Sequence, residues 1–110
     1  MNFPGLPCGM IEWASEPTET VPGETGTAIA RTRRFGDLQF RLVDYSAGYL
    51  ADHWCDKGHV LFVVAGALVI EHRDGGRYGL SAGASWHVAD HGAAAHRVVC
   101  EKGATVFIVD

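Results

Sequence analysis

The sequence predicts an all-β, single-domain protein, and two features of the chain carry this prediction. From residue 27 onward, short runs rich in Val, Ile, Leu and Phe are separated by glycines at positions 36, 48, 58, 66, 75, 76, 83, 92 and 103. Short strands with a turn signal every ~8–12 residues are typical of a β-sandwich or β-barrel. No stretch of about 11 residues has a convincing helical period. The length of 110 residues is enough for one hydrophobic core and too short for two.

The segment before this region has a different composition. All four prolines lie within the first 22 residues, and proline is excluded from long helices and central strands. We therefore expect residues 1–26 to form an extended N-terminal arm, with a short turn near Met10–Ala14, and residues 27–110 to form a barrel. Four apolar arm residues indicate that the arm packs on its own barrel or on a partner subunit: Phe3, Leu6, Ile11 and Trp13.

Alternation and turn residues predict the strands of the barrel. Residues 38–43 alternate, and residues 48–55 are expected to form a hairpin with the strand that His59 opens, around the turn Asp56-Lys57-Gly58. The sequence Asp-Gly-Gly at 74–76 supplies the positive φ angles of a tight turn and predicts a second hairpin. Its strands, and those that follow, are expected at 67–72, 77–80, 85–89, 95–100 and 104–109.

Composition and charge exclude several classes of function. The formal net charge is −4 and the one basic cluster, Arg31 with Arg33 and Arg34, has the spacing of a solvent-facing strand, so no nucleic-acid partner is expected. No apolar run approaches the roughly 18 residues of a membrane span, and the first ten residues do not resemble a secretory signal. Three cysteines without paired spacing argue against a disulfide framework and favour a cytoplasmic location.

Three metal-competent side chains, His53, Cys55 and His59, lie within seven residues. Along a strand, His53 and Cys55 share a face while Trp54 points the other way, and His59 comes level with them after the turn. His96 begins a later strand beside a loop and is the candidate for a fourth ligand from the mouth of the barrel. The sequence therefore predicts a metal site formed by His53, Cys55, His59 and His96.

These residues resemble the first motif of the cupin superfamily, which are small jelly-roll β-barrels that hold a metal. The cupin pattern of Gly, His-x-His, Glu and Gly becomes Gly48, His53-x-Cys55, His59 and Gly66, so Cys replaces the second His and His replaces the Glu. In the looser second motif, Gly83 and His96 match, the usual proline is missing, and Cys100 stands where Asn is usual.

The run A-D-H-W-C-x-K-G-H and the terminal F-I-V-D further resemble a small bacterial group of DHCW-motif cupin fold proteins, over about residues 27–110. The resemblance implies a single-domain cupin barrel with one metal inside, and a homodimer. It implies no particular reaction, because cupins include dioxygenases, isomerases, epimerases, decarboxylases and binding modules.

The predicted donor set bears on the metal and on its role. A thiolate among three imidazoles favours zinc, with iron, nickel and copper as alternatives, and the loss of the carboxylate argues against manganese and magnesium. Ligation by Cys55 has less support than ligation by the histidines, since three histidines alone can hold a catalytic metal.

Residues outside the motif have either one expected position or two interpretations that the sequence leaves open. Cys100 shares a face with His96 and is expected to be a buried structural cysteine. His91 is either an exposed loop residue or an acid/base at the pocket mouth, while His72 and His87 are expected on the surface. Asp52 is expected in a turn or in a hydrogen bond to a ligand histidine. Four aromatic residues are candidates for the pocket wall or for core filling: Phe40, Tyr45, Tyr49 and Trp86.

Three functions remain open from the sequence. The first is a metal-dependent enzyme acting on an unknown small molecule, with an open coordination position. The second is a non-catalytic ligand-binding or sensing cupin with a closed, structural His₃Cys site. The third is a redox or metal sensor in which Cys55 is oxidised and the site is lost.

Overall fold

The computed structural model describes residues 3 and 5–110, and residues 1, 2 and 4 of the predicted arm lie outside the described part. The described chain contains one 3-10 helix, Trp13–Ser15, and its strands are β1 (Glu19–Pro22), β2 (Thr27–Phe35), β3 (Leu38–Leu50), β4 (His59–His72), β5 (Arg77–Ser81), β6 (Ser85–Val88) and β7 (His96–Val109). The all-β prediction is therefore confirmed. Among the described residues, no helix is long and apolar enough to cross a membrane.

All strand pairs are antiparallel, in the order β1-β2-β3-β7-β4-β5, with β6 pairing to β4. The hairpin predicted around residues 74–76 is confirmed, because β4 and β5 pair on either side of this turn, with Ile70 opposite Tyr78. Alternate residues of the long strands face inward and form one core, whose most buried side chains are Val63, Ile70, Cys100 and Val106. The strands of the barrel region therefore belong to one sheet and share one hydrophobic core.

The strands predicted at 95–100 and 104–109 are one continuous strand, β7, in which Gly103 has a φ of +102°. Gly66 pairs with the next residue, Ala104, and has a φ of +77°, and the register of β4 against β7 shifts on both sides of it. A Cβ at Gly66 would overlap the carbonyl oxygen of Gly103. The close approach of two backbones therefore requires glycine at position 66.

The arm packs against its own barrel. β1 adds to the sheet as an edge strand beside β2. The ring of Trp13 lies 6.3 Å from that of Phe107 on β7, and Glu16 accepts a hydrogen bond from Arg33 at 2.8 Å. These contacts cover part of the outer face of the sheet, on the opposite side from the core.

The hairpin predicted around Asp56-Lys57-Gly58 is wrong. β3 ends at Leu50 and pairs with β2 and β7, so residues 51–58 form a loop before β4. The N–H of Ala51 still donates to the carbonyl of Val98 at 3.1 Å, and the chain then leaves the ladder. Beyond that point His53 and Asp52 are exposed, so no buried face holds this segment in a strand.

Candidate metal centre

Backbone pairing brings Cys55 beside His96. Within the loop that follows β3, Cys55 forms an isolated β-bridge with His96, and each residue donates its N–H to the other's carbonyl at 2.8 Å. Two residues that exchange both backbone hydrogen bonds in an antiparallel pair project their side chains to the same side. His59, the first residue of β4, reaches the same place from the neighbouring strand.

Cys55 and His59 have the separation of two ligands on one metal ion, and His96 lies close to both. Cys55 Sγ lies 3.6 Å from His59 Nε2, and the donor atoms of Cys55, His59 and His96 all lie within 4.8 Å of one another. Zinc binds thiolate at ~2.3 Å and imidazole at ~2.0–2.1 Å, so two such ligands at a tetrahedral angle lie about 3.6 Å apart. The donor set and its spacing therefore fit a divalent transition metal.

Asp110 sets the orientation of His59. Asp110 Oδ2 lies 2.9 Å from His59 Nδ1, which leaves His59 Nε2 facing Cys55. The carboxylate also accepts hydrogen bonds from Arg41 at 2.7 Å and Gln39 at 3.0 Å. Burial acts to raise the pKa of Asp110, but the hydrogen bond from His59 and the charge of Arg41 outweigh burial and lower it to about 2. The ionised carboxylate thus holds the imidazole as carboxylates hold metal-binding histidines.

His96 is a buried, neutral imidazole. Only 5% of the residue is exposed, and its ring lies 4.8 Å from that of Trp86 and 5.1 Å from that of His59. Burial, and then the neighbouring His59 and His72, lower the pKa of His96 to about 4. The ring is therefore unprotonated at neutral pH, which is the form that ligates a metal.

His53, the fourth predicted ligand, lies apart from this group. Its side chain is 77% exposed at the mouth of the cavity, and its Nδ1 lies 2.6 Å from Asp52 Oδ1. Asp52 therefore bonds an exposed histidine, and its expected hydrogen bond to a ligand histidine stays a prediction together with the ligand role of His53. A coordinating role for His53 stays a prediction, because the structure brings together Cys55, His59 and His96 without it.

His72 was expected on the surface, and this expectation is wrong. Only 6% of the residue is exposed, its Nδ1 lies 2.6 Å from the carbonyl oxygen of Ala94, and its ring packs 5.9 Å from that of Trp86. His72 lies two residues after the buried Ile70, so strand parity in the sequence already places the two side chains on one face. His72 packs beside His96 in the interior, and the centroids of the two rings are 6.0 Å apart.

The other sequence expectations have mixed outcomes. Cys100 is buried and its thiol donates to the carbonyl of Ala67 at 3.5 Å, while His87 is exposed, as predicted for both. His91 is an exposed loop residue whose Nδ1 lies 3.0 Å from Asp56 Oδ2. Trp54 lies outside the cavity, with the guanidinium of Arg97 4.3 Å from its ring centroid.

A cavity of about 150 Å³ opens beside the three donor residues. Tyr45, Tyr49 and Trp86 line it, whereas Phe40 packs on the outer face against Phe107. The remaining lining residues are Arg41, Ala51, His53, Cys55, His59, Leu61, Ile70, His96, Arg97, Val98 and Ile108. Two side chains that the sequence reasoning missed, Arg41 and Asp110, have the parity of the buried Val43 and Ile108, which was the available signal.

The fold is similar to those of solved cupin structures. A cupin-2 domain protein from Shewanella frigidimarina has a TM-score of 0.58 and 24% identity, over 74% of this chain and 78% of that chain. A cupin-superfamily sugar phosphate isomerase from Silicibacter pomeroyi has a TM-score of 0.69 and 16% identity, over 92% and 74%. Ectoine synthase from P. lautus has a TM-score of 0.63 and 17% identity, over 77% and 64%.

The chain therefore has the fold of the cupin superfamily, a compact single-domain β structure of the jelly-roll type. No protein-family model matches the sequence, and none of the curated proteins matches it. The Cys/His/His group could hold a metal ion.

Proposed function

We propose that Cys55, His59 and His96 hold one divalent transition metal, zinc in the first place, and that the protein is a metal-dependent enzyme acting on a small molecule. The observation that carries the proposal is the 3.6 Å separation of Cys55 Sγ and His59 Nε2, with His96 completing the group. This is the spacing of neighbouring ligands around tetrahedral zinc. The hydrogen bond from His59 to Asp110 adds the outer carboxylate that tunes such ligands.

Three protein ligands favour a catalytic over a structural site. Structural zinc sites have four protein ligands, whereas catalytic sites have three and keep a position for water or substrate. The exposure of His53 and the cavity beside the donor group support an open position. A metal held there acts as a Lewis acid that polarises an oxygen of the bound molecule. The fold alone does not choose the reaction, although two structural relatives are named as enzymes.

Two alternatives differ from this proposal at single residues. A closed His₃Cys site that includes His53 would make the metal structural and the protein a binding or sensing module. A site that is lost when Cys55 is oxidised would make the protein a redox or metal sensor. Copper is the second candidate ion, because two histidines and one cysteine are also the donor set of blue-copper sites.

Metal analysis of three proteins tests the proposal. Untagged wild type, His96→Ala and His53→Ala would be purified without chelator or nickel resin, and their elemental content measured. We expect about one zinc per chain in the wild type and in His53→Ala, and loss of metal from His96→Ala. Loss from both variants would favour the closed structural site, and absence of metal from the wild type after reconstitution would overturn the proposal.

Loading with copper provides a second readout of the ligands. A Cu(II)–thiolate bond in the His₂Cys set is expected to give an intense visible absorption that Cys55→Ser abolishes. Retention of the absorption in Cys55→Ser would exclude the thiol as a ligand.

Homodimer formation and the cytoplasmic location expected from the sequence stay predictions.

A further inference from the structure

Arg41 is a cation on the inner face of the barrel. It lies on β3 opposite Ile108 and two residues before Val43, and both of these neighbours are buried. A charged group in such a place is costly unless it is paired. The guanidinium in this position therefore needs hydrogen-bond acceptors and a compensating negative charge.

The protein satisfies Arg41 in part. Nη2 of Arg41 donates to Asp110 Oδ2 at 2.7 Å, but the same carboxylate also accepts from His59 and Gln39. The Nε of Arg41 is buried and has no hydrogen-bond partner among the described residues. A buried donor without a partner costs about 1–3 kcal/mol. This Nε is closed to a ligand as well, and the part of Arg41 that a ligand can meet is the 26% of its side chain that stays exposed beside the cavity.

The cavity beside Arg41 presents hydrogen-bond donors to a ligand. Tyr45 and Tyr49 line it with Arg41, and their rings lie 4.8 Å apart. Burial raises the pKa of both tyrosines, so each phenol keeps its proton and can donate. Arg97 also borders the cavity, but its guanidinium lies over Trp54 and pairs with Glu71, so Arg41 is the cation that a ligand meets, and the lining residues of the described chain include no aspartate or glutamate. This arrangement favours a ligand that carries a negative charge and accepts hydrogen bonds.

The volume limits the size of that ligand. A cavity of about 150 Å³ accommodates a molecule the size of benzene, and apolar side chains such as Leu61, Ile70 and Val98 line its remaining wall. A carboxylate is compact, and its planar shape suits the guanidinium.

We propose that the cavity takes a small organic monocarboxylate, with its carboxylate on Arg41 and its other end toward Cys55, His59 and His96. The second half of this inference rests on the proposed metal function, whereas the Arg41 half stands on the cavity alone. Arg41 is therefore a specificity-determining residue for the acid group of the ligand.

The test compares butyrate with the neutral butyramide, which has nearly the same shape. Binding would be followed by NMR of ¹⁵N-labelled protein, in both the metal-free and the zinc-loaded form. We expect butyrate, and not butyramide, to shift the Arg41 Nε–Hε resonance in a saturable manner. Arg41→Met is expected to weaken butyrate binding about tenfold or more, and Arg77→Gln, which removes an arginine that does not line this cavity, is expected to leave binding unchanged.

Each outcome separates this inference from the metal proposal. Zinc binding without a preference for butyrate over butyramide would overturn the inference and leave the metal site intact. A preference that the metal-free protein retains, in a chain that fails to bind zinc, would support the Arg41 half and overturn the metal proposal. Saturable binding of inorganic phosphate in place of butyrate would overturn the carboxylate class. The difference between butyrate and butyramide in the wild-type resonance shift tests the inference even where Arg41→Met does not fold.

Discussion

His59 and Asp110 are joined by a hydrogen bond of 2.9 Å between Nδ1 and Oδ2, although 51 residues separate them along the chain. The bond links the first residue of β4 to the residue that follows β7, through the pairing of these two strands. It directs His59 Nε2 toward Cys55, and the same carboxylate holds Arg41. One side chain thus orients a candidate metal ligand and a candidate anion-binding residue.

Replacement of Asp110 by Asn should weaken zinc binding without unfolding the chain. The amide keeps the shape of the carboxylate but removes the charge that fixes the His59 tautomer, and loss of such outer partners costs about 10–100-fold in metal affinity. Affinity would be measured by competition with a chromophoric chelator. Asp44→Asn makes the same chemical change at a carboxylate that binds Thr105 away from the cavity, and wild-type affinity is expected there. Equal affinity in Asp110→Asn and the wild type would contradict the orienting role.

His72→Ala should lower the free energy of unfolding by about 2–3 kcal/mol. The change removes a buried ring that packs on Trp86 and leaves the carbonyl of Ala94 without its donor. Urea unfolding followed by tryptophan fluorescence measures the effect. His87→Ala, at an exposed position of β6, is the matched control and is expected within about 0.5 kcal/mol of the wild type. Similar values for the two variants would show that His72 is not part of the core.

The stability of the metal-free protein should fall as the pH drops from about 6.5 to about 4. The pKa of His96 is lowered from 6.5 to about 4 in the folded state, so the unfolded chain binds the additional proton across this interval. The loss is on the order of 3 kcal/mol and is complete below pH 4. Urea unfolding at several pH values in the presence of chelator measures it. His96→Gln should flatten the dependence, and a wild-type stability that is constant over this range would contradict the shift.

Gly66→Ala should destabilise the fold by about 1–3 kcal/mol or more. The residue has a φ of +77°, and the added methyl group would meet the backbone of Gly103. Thermal or urea unfolding gives the difference. Gly79→Ala is the control, because a Cβ there meets no atom within 4 Å, and its stability is expected to match the wild type. An unchanged free energy of unfolding in Gly66→Ala would mean that the two strands separate easily at the bulge.

The sequence by itself determined the class of fold and much of the site. Alternation of apolar residues, with glycines at the turns, predicted the β class and the β4–β5 hairpin, since these patterns depend on neighbours along the chain. Spacing also indicated that Cys55, His59 and His96 would converge. The structure brings them together, but through the bridge between Cys55 and His96 and not through the hairpin that was expected around residues 56–58.

The tertiary structure alone decided where β3 ends and which side chains surround the donors. The position of His53 depends on the ladder between β3 and β7, which stops before that residue is reached. Arg41 and Asp110 enter the site through strand pairings across most of the chain, and their contact joins residues 69 positions apart. Local periodicity shows which face a side chain occupies, but the partner across the sheet is set by long-range pairing and by the burial it achieves.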